Sequence, residues 1–194
     1  MRTFIIVLLL IAASYWLYTK YPPHANGGDE LPAQIAWRTI THDQRGVVTF
    51  IEVDAVSGNC WRMEVQSPPK PKTLVAVFDG NTAAASVPQA PAASFDPRPT
   101  MRQLLSSIRR ATPEATEQIG GHPYLRFTQT FKGISVQIWA DPQTRFPYRL
   151  RGGALGQFTD ITYTILPAPS DRDRTDLFSV QSLTPHLSRF ATTQ

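Results

Sequence analysis

The chain carries a single cysteine, Cys60, among 194 residues. That excludes an internal disulfide and any zinc site built on cysteine pairs. Charged residues are only 18% of the chain, and 19 basic against 15 acidic leave a net charge of +4. A nucleic-acid binder needs a basic face dense enough to neutralise several phosphates, and these arginines are scattered among the predicted strands. The four histidines, His24, His42, His122 and His186, show no i, i+4 pair of the kind that binds metal from one helix face. Also missing are a Gly-x-Ser-x-Gly elbow, a phosphate-cradling glycine loop and a cysteine with a catalytic signature. No enzyme activity, cofactor or metal is expected. Seventeen prolines argue against a long helical bundle, because proline interrupts helix interiors.

What is present begins with an apolar run. Thr3 to Thr19 has no charge, with Arg2 before it and Lys20 after it. It reaches the lower edge of the ~17–25 residues that span a bilayer. Two readings compete. Ala12-Ala13-Ser14 fits the small-residue exit of a cleaved secretory signal. Tyr15, Trp16, Tyr18 and Tyr21 fit the aromatic belt of an uncleaved anchor, and aromatics so close after a cleavage site favour the anchor. A buried core helix is disfavoured by the position at the extreme N-terminus after one arginine. No cysteine ends the run, so a lipid-modified N-terminus is not expected. The expected organisation is a signal-anchor over 1–20, a Pro/Gly/Asn-rich linker over 21–33, a β domain over 34–180 and an irregular tail over 181–194.

Strand signals dominate the exported part. Gln34–Thr41, Val47–Val56, Trp61–Gln66 and Leu74–Phe78 are short, rich in β-branched or aromatic residues, and separated by turn clusters. Asp79-Gly80 is a hairpin-type dipeptide, with Asn81–Val87 as a return strand. Pro88–Pro99 reads as a loop. After it, Met101, Leu104, Leu105 and Ile108 recur at i, i+3, i+4 and i+7, one apolar helical stripe. Thr100 is placed to cap this helix, and Arg109-Arg110 suit its C-terminal dipole. Strands return at Tyr124–Phe131, at Ile134 to Trp139, at Tyr148–Arg151 and at Gln157–Ile165. Period-2 alternation gives Tyr124–Phe131 and Ile134 to Trp139 each one apolar face.

The order of parts from residue 61 to 180 resembles a known family. The carrying segments are Phe78-Asp79-Gly80, the amphipathic helix, Ile138-Trp139-Ala140-Asp141-Pro142 leading to Phe146-Pro147, Phe158-Thr159-Asp160-Ile161, and the late Leu177-Phe178. This order is similar to the LolA/LolB-like superfamily of exported lipoprotein carriers and related envelope sensors. The resemblance implies a mainly β fold: an unclosed antiparallel β-barrel with an amphipathic helix over its open side. It also implies a bacterial cell with the folded domain in the periplasm, tethered at the inner membrane by residues 4–18 or released there after signal cleavage. Arg145 stands where the family commonly has glycine.

Two functions follow from the resemblance: a lipid- or lipoprotein-binding module, or a regulatory protein that binds a protein partner and no lipid. A curved sheet with one apolar face must cover that face, and one short helix covers little of it. Either the sheet closes on itself or an apolar groove remains, and a groove is the expected ligand site. Its candidate lining is Phe50, Phe78, Met101, Leu105, Ile108, Phe127, Ile138 and Phe158, each of which also fits ordinary core packing. Arg98, Arg102, Arg109 and Arg110 form the one basic cluster, suited to lipid headgroups or simply to solvent. Trp37, Trp61 and Trp139 read as core or rim aromatics.

Overall fold

The computed structural model describes residues 31–68, 72–86, 92–131, 134–154, 157–170 and 175–185. The expected anchor, nearly all of the linker and the last nine residues of the tail lie outside them. Among the described residues no helix is long and apolar enough to cross a membrane.

Ten strands form one antiparallel sheet: β1 (Gln34–His42), β2 (Val48–Ser57), β3 (Cys60–Gln66), β4 (Thr73–Phe78), β5 (Ala83–Ala85), β6 (Ala115–Ile119), β7 (His122–Phe131), β8 (Ile134–Ala140), β9 (Pro147–Ala154) and β10 (Gln157–Leu166). Their order is β5-β4-β3-β2-β1-β10-β9-β8-β7-β6. The sheet is therefore two five-strand meanders joined at its centre by β1 and β10, and it is not closed. Helix α1 (Arg98–Arg110) carries the chain from the β5 edge to the β6 edge, after a short 3-10 turn at Ala92–Phe95.

The helix forces the sheet to curl. Met101 and Leu105 pack with Trp37, Trp61 and Ala76, whereas Ile108 packs with Phe127 and Ile138. From β3 to β7 is six strand steps, or about 29 Å in a flat sheet at ~4.8 Å per step. Met101 to Ile108 rises only about 10 Å along a helix. A helix this short touches both halves only if the sheet wraps around it. The concave face therefore holds the helix, and the architecture is the expected open half-barrel.

Local chemistry sets the boundaries of these elements. Proline stands in the first turn of α1, where a missing N–H costs nothing. Pro97 occupies the cap position with no side-chain bond, so Thr100 lies inside the helix rather than capping it. Arg109 and Arg110 fill the last turn as expected. Strand β6 was not expected, because only Ala115 and Ile119 are apolar in it. Its hairpin with β7 turns on Gly120 and Gly121, both with positive φ (60° and 83°), the geometry of a tight two-residue β-turn. Arg145 has φ 60°, which explains why glycine suits that position. Its guanidinium lies over the Phe127 ring, 5.5 Å from the centroid.

The convex face is divided. Over β1 to β4 it is mostly apolar, with the buried Arg62–Glu64 pair set into it, and is covered by the C-terminal segment. Leu177 and Phe178 pack there on Ala36, Val53, Ala55, Val75 and Val77. This strap, with a short helical turn at Thr175–Leu177, gives the tail a role that its proline-rich sequence did not suggest. Over β6 to β10 the convex face instead carries paired arginines and aromatic rings.

Candidate functional site

Register places six side chains in one row across the concave face. Phe50 opposes Thr41, Thr41 opposes Ile161 and Ile161 opposes Leu150. Leu150 in turn opposes Ile138, which opposes Phe127. Directly opposed residues in antiparallel strands project to the same face. Five of the six are apolar. At one end the row is sealed: Phe127 is 1% exposed and Ile138 is 0% exposed, beneath Ile108. Towards the other end Leu150, Ile161, Thr41 and Phe50 are only half-buried. The same face of β8 continues through half-buried Val136 to Ile134, which is 39% exposed. A row of half-buried apolar side chains thus runs out from under the helix.

The residues singled out from sequence divide among three places. Phe78, Met101 and Leu105 belong to the core under the first half of α1, and Ile108, Phe127 and Ile138 to the core under its end. Phe50 lies at the open end of the row. Phe158 does not join them. It shares the face of Asp160, Thr162 and Leu166, which is the convex one, and stands 51% exposed beneath the Arg151 guanidinium. Leu150 and Ile161 were missed, although their alternation with Arg149, Arg151, Asp160 and Thr162 marks them as the apolar phase of their strands.

The arginine cluster is not a free cationic patch. Arg98 pairs with Asp96 at 2.7 Å and donates to the Asn59 carbonyl at 3.0 Å, tying the start of α1 to the β2–β3 turn. Arg102 and Arg110 are exposed and Arg109 half-buried, all away from the buried stripe of the helix.

An acid pair also sits on the concave face. Phe50, Glu52, Asp54 and Val56 alternate along it on β2. Asp54 is 1% exposed, opposite Trp37, and Glu52 is half-buried opposite Thr39. Burial raises the Glu52 carboxyl above its usual range, and burial reinforced by the Glu52 charge raises Asp54 well above. Burial, with the two acids adding to it, also raises the Tyr163 hydroxyl beside them. Among the described residues no group of three potential ligands could hold a metal ion.

This pair has a consequence for stability. An acid whose pKa is raised on folding binds its proton more tightly in the native state, so its contribution is fully present below the unfolded value of 3.8 and is lost as pH rises through the folded value. Asp54→Asn keeps the shape and removes that loss. We expect the variant to be more stable than the parent at pH 7 by about 1–3 kcal/mol, with the advantage vanishing near pH 3. Urea denaturation at the two pH values measures it, and a variant less stable at pH 7 contradicts the assignment.

The convex face offers a concavity of about 400 Å³, lined by His42, Arg149, Arg151, Phe158 and Asp160 among others. Arg149 is paired with Asp160 and lies over the Trp139 ring. Trp139 in turn donates to Glu117 at 2.8 Å, and Glu117 pairs with Arg126. Tyr124 and Tyr148 stack nearby at 4.2 Å.

No family model and no curated protein matches this sequence. Solved structures do. The MucA/MucB complex of Pseudomonas aeruginosa is 17% identical with a TM-score of 0.46, over 84% of this chain and 60% of that one. LprF from Mycobacterium bovis is 13% identical with a TM-score of 0.41, over 68% of this chain and 84% of that one. A LolA superfamily protein from Nitrosomonas europaea is 9% identical with a TM-score of 0.31, over 70% and 86%. The chain thus spans less than two thirds of the MucA/MucB structure it matches.

Proposed function

We propose that the protein is an exported binding module, tethered by residues 4–18, whose half-barrel holds an acyl chain or a similarly apolar ligand along the concave row. The observation that supports this most directly is the continuity of that row. Ile138 and Phe127 anchor it in the core, while Leu150, Ile161 and Phe50 carry the same apolar surface out to solvent. A half-buried apolar surface continuous with a core is where an apolar ligand gains most by leaving water.

The test is native mass spectrometry of the full chain, with solvent extraction and lipid analysis of what accompanies it. A discrete lipid adduct is expected. Leu150→Asp should remove it while the far-UV circular dichroism of the sheet is kept, and Arg151→Ala on the convex face should leave it in place. A clean apo mass, with no labelling by a fluorescent fatty acid, refutes the reading.

A second reading, a regulatory protein that binds a protein partner, has its own support. The convex face over β6 to β10 presents Tyr124, Tyr148, Arg149, Arg151 and Phe158. Tyr, Trp and Arg dominate the energetics of protein interfaces. An apo mass combined with crosslinks from this face to a membrane protein would favour it.

A further inference from the structure

The acid pair interrupts the apolar lining of the groove where it meets the core. Along the concave face of β2, Phe50 is half-buried and opens the groove, Glu52 is half-buried beside it, and Asp54 is 1% exposed behind them. The Asp54 side chain is hydrogen-bonded to Glu52 and Trp37, yet one of its oxygens, Oδ1, is buried with no hydrogen-bond partner. A buried carboxylate oxygen without a donor is costly and therefore a place where a ligand's donor gains. The groups facing the pair are Thr39 and Trp37 from β1, Tyr163 from β10 and Val65 and Met63 from β3, with Asp96 acting on it at longer range. None of these residues carries a positive charge.

We infer that the Glu52–Asp54 pair is the polar end of the concave groove, and that it selects amphiphiles whose headgroup donates hydrogen bonds or carries positive charge over those headed by a carboxylate. The inference rests on the apolar-chain reading above and adds the headgroup class to it. A carboxylate brought to this place would add negative charge beside two hydrogen-bonded acid groups, with no cation among the facing residues to balance it, and burying an unbalanced charge is costly. An ammonium or hydroxyl would instead meet Glu52 at the groove and the empty acceptor of Asp54 behind it. The arginines of α1 do not counter this preference, because Arg98 is held by Asp96 and Asn59 and the others lie away from the buried stripe.

The experiment uses the full chain in membranes and three photoactivatable single-chain probes of equal length, headed by an amine, an alcohol and a carboxylate. Labelling is mapped by peptide mass spectrometry. The yield at the concave residues Phe50, Leu150 and Ile161 is divided by the yield at residues 4–18 of the same molecule, which corrects for partitioning into the bilayer. The amine is expected to exceed the carboxylate by at least about tenfold, with the alcohol between them. In Glu52→Gln the difference should shrink to about twofold. Asp54→Asn, chosen because it is expected to be stable, should weaken it likewise. Equal labelling by all three heads overturns the headgroup inference and leaves the apolar groove standing. So does a preference that survives in both variants. Strongest labelling by the carboxylate overturns it in favour of the helix arginines. No concave labelling by any probe overturns the groove itself.

Discussion

Leu105→Asp is expected to unfold the domain rather than open it. Leu105 is 2% exposed and packs among Trp37, Trp61, Val56 and Phe146. Truncation to alanine at such a site costs about 2–5 kcal/mol, or roughly 5–20 °C in Tm for a domain of this size. Aspartate adds the burial of a carboxyl group without a partner. The sum is comparable to the whole stability of an ordinary domain, about 5–15 kcal/mol. The measurement is urea denaturation followed by circular dichroism for Leu105→Ala, and recovery of soluble folded protein for Leu105→Asp. If Leu105→Asp folds with an unchanged midpoint, α1 is a detachable lid and the space beneath it is a cavity. The packing argues for the opposite. Met101, Leu105 and Ile108 are core, and the half-buried apolar surface lies beyond the helix, along Leu150, Ile161 and Phe50.

That distinction could not be drawn from the sequence, although most of the strands could. Alternation in Tyr124–Phe131 and Ile134–Trp139 is a local property, set by the two-residue period of the backbone, and the structure places strands there within a few residues. The stripe of α1 is likewise local. What sequence does not carry is which strands meet. β1 and β10 lie side by side at the centre of the sheet, though more than a hundred residues separate them, and the concave row exists only because they do. Phe158 shows the complementary error. Residue type alone fits it to the lining, yet Ile161, Tyr163 and Ile165 are in the opposite phase, so parity alone separates Phe158 from them. The acid pair escaped notice for another reason. In β2 the residues on both faces between Val53 and Val56 are buried, because α1 covers one side and the strap the other. Glu52 and Asp54 then look like the ordinary polar phase of a half-exposed strand. Register opposite Thr39 and Trp37, beneath α1, is what turns this polar phase toward the concave side.

The strap leads to the second large expected effect. Arg62 and Glu64 are each 1% exposed on the convex side of β3 and paired with one another. The same guanidinium donates to the carbonyls of Leu177 at 3.0 Å, Ser182 at 3.2 Å and Thr184 at 2.6 Å. One planar side chain with five donors thus fixes both ends of a segment that has no strand partner of its own. Arg62→Ala leaves Glu64 buried without its guanidinium and three carbonyls without their donor. Breaking a buried pair from one side costs about 3–5 kcal/mol, which corresponds to roughly 6–20 °C in Tm. Arg62→Lys should recover little of it, since an ammonium cannot reach a carboxylate and three divergent carbonyls together. The double variant Arg62→Met, Glu64→Leu should lie above Arg62→Ala in stability, because it removes both buried charges, while still lacking the tie to the strap. Limited proteolysis separates the two effects. Cleavage within 175–185 should accelerate in every variant lacking the guanidinium, including the double one. If Arg62→Ala melts with the parent and resists cleavage there, apolar packing of Leu177 and Phe178 alone holds the strap, and the buried guanidinium is a bystander to it.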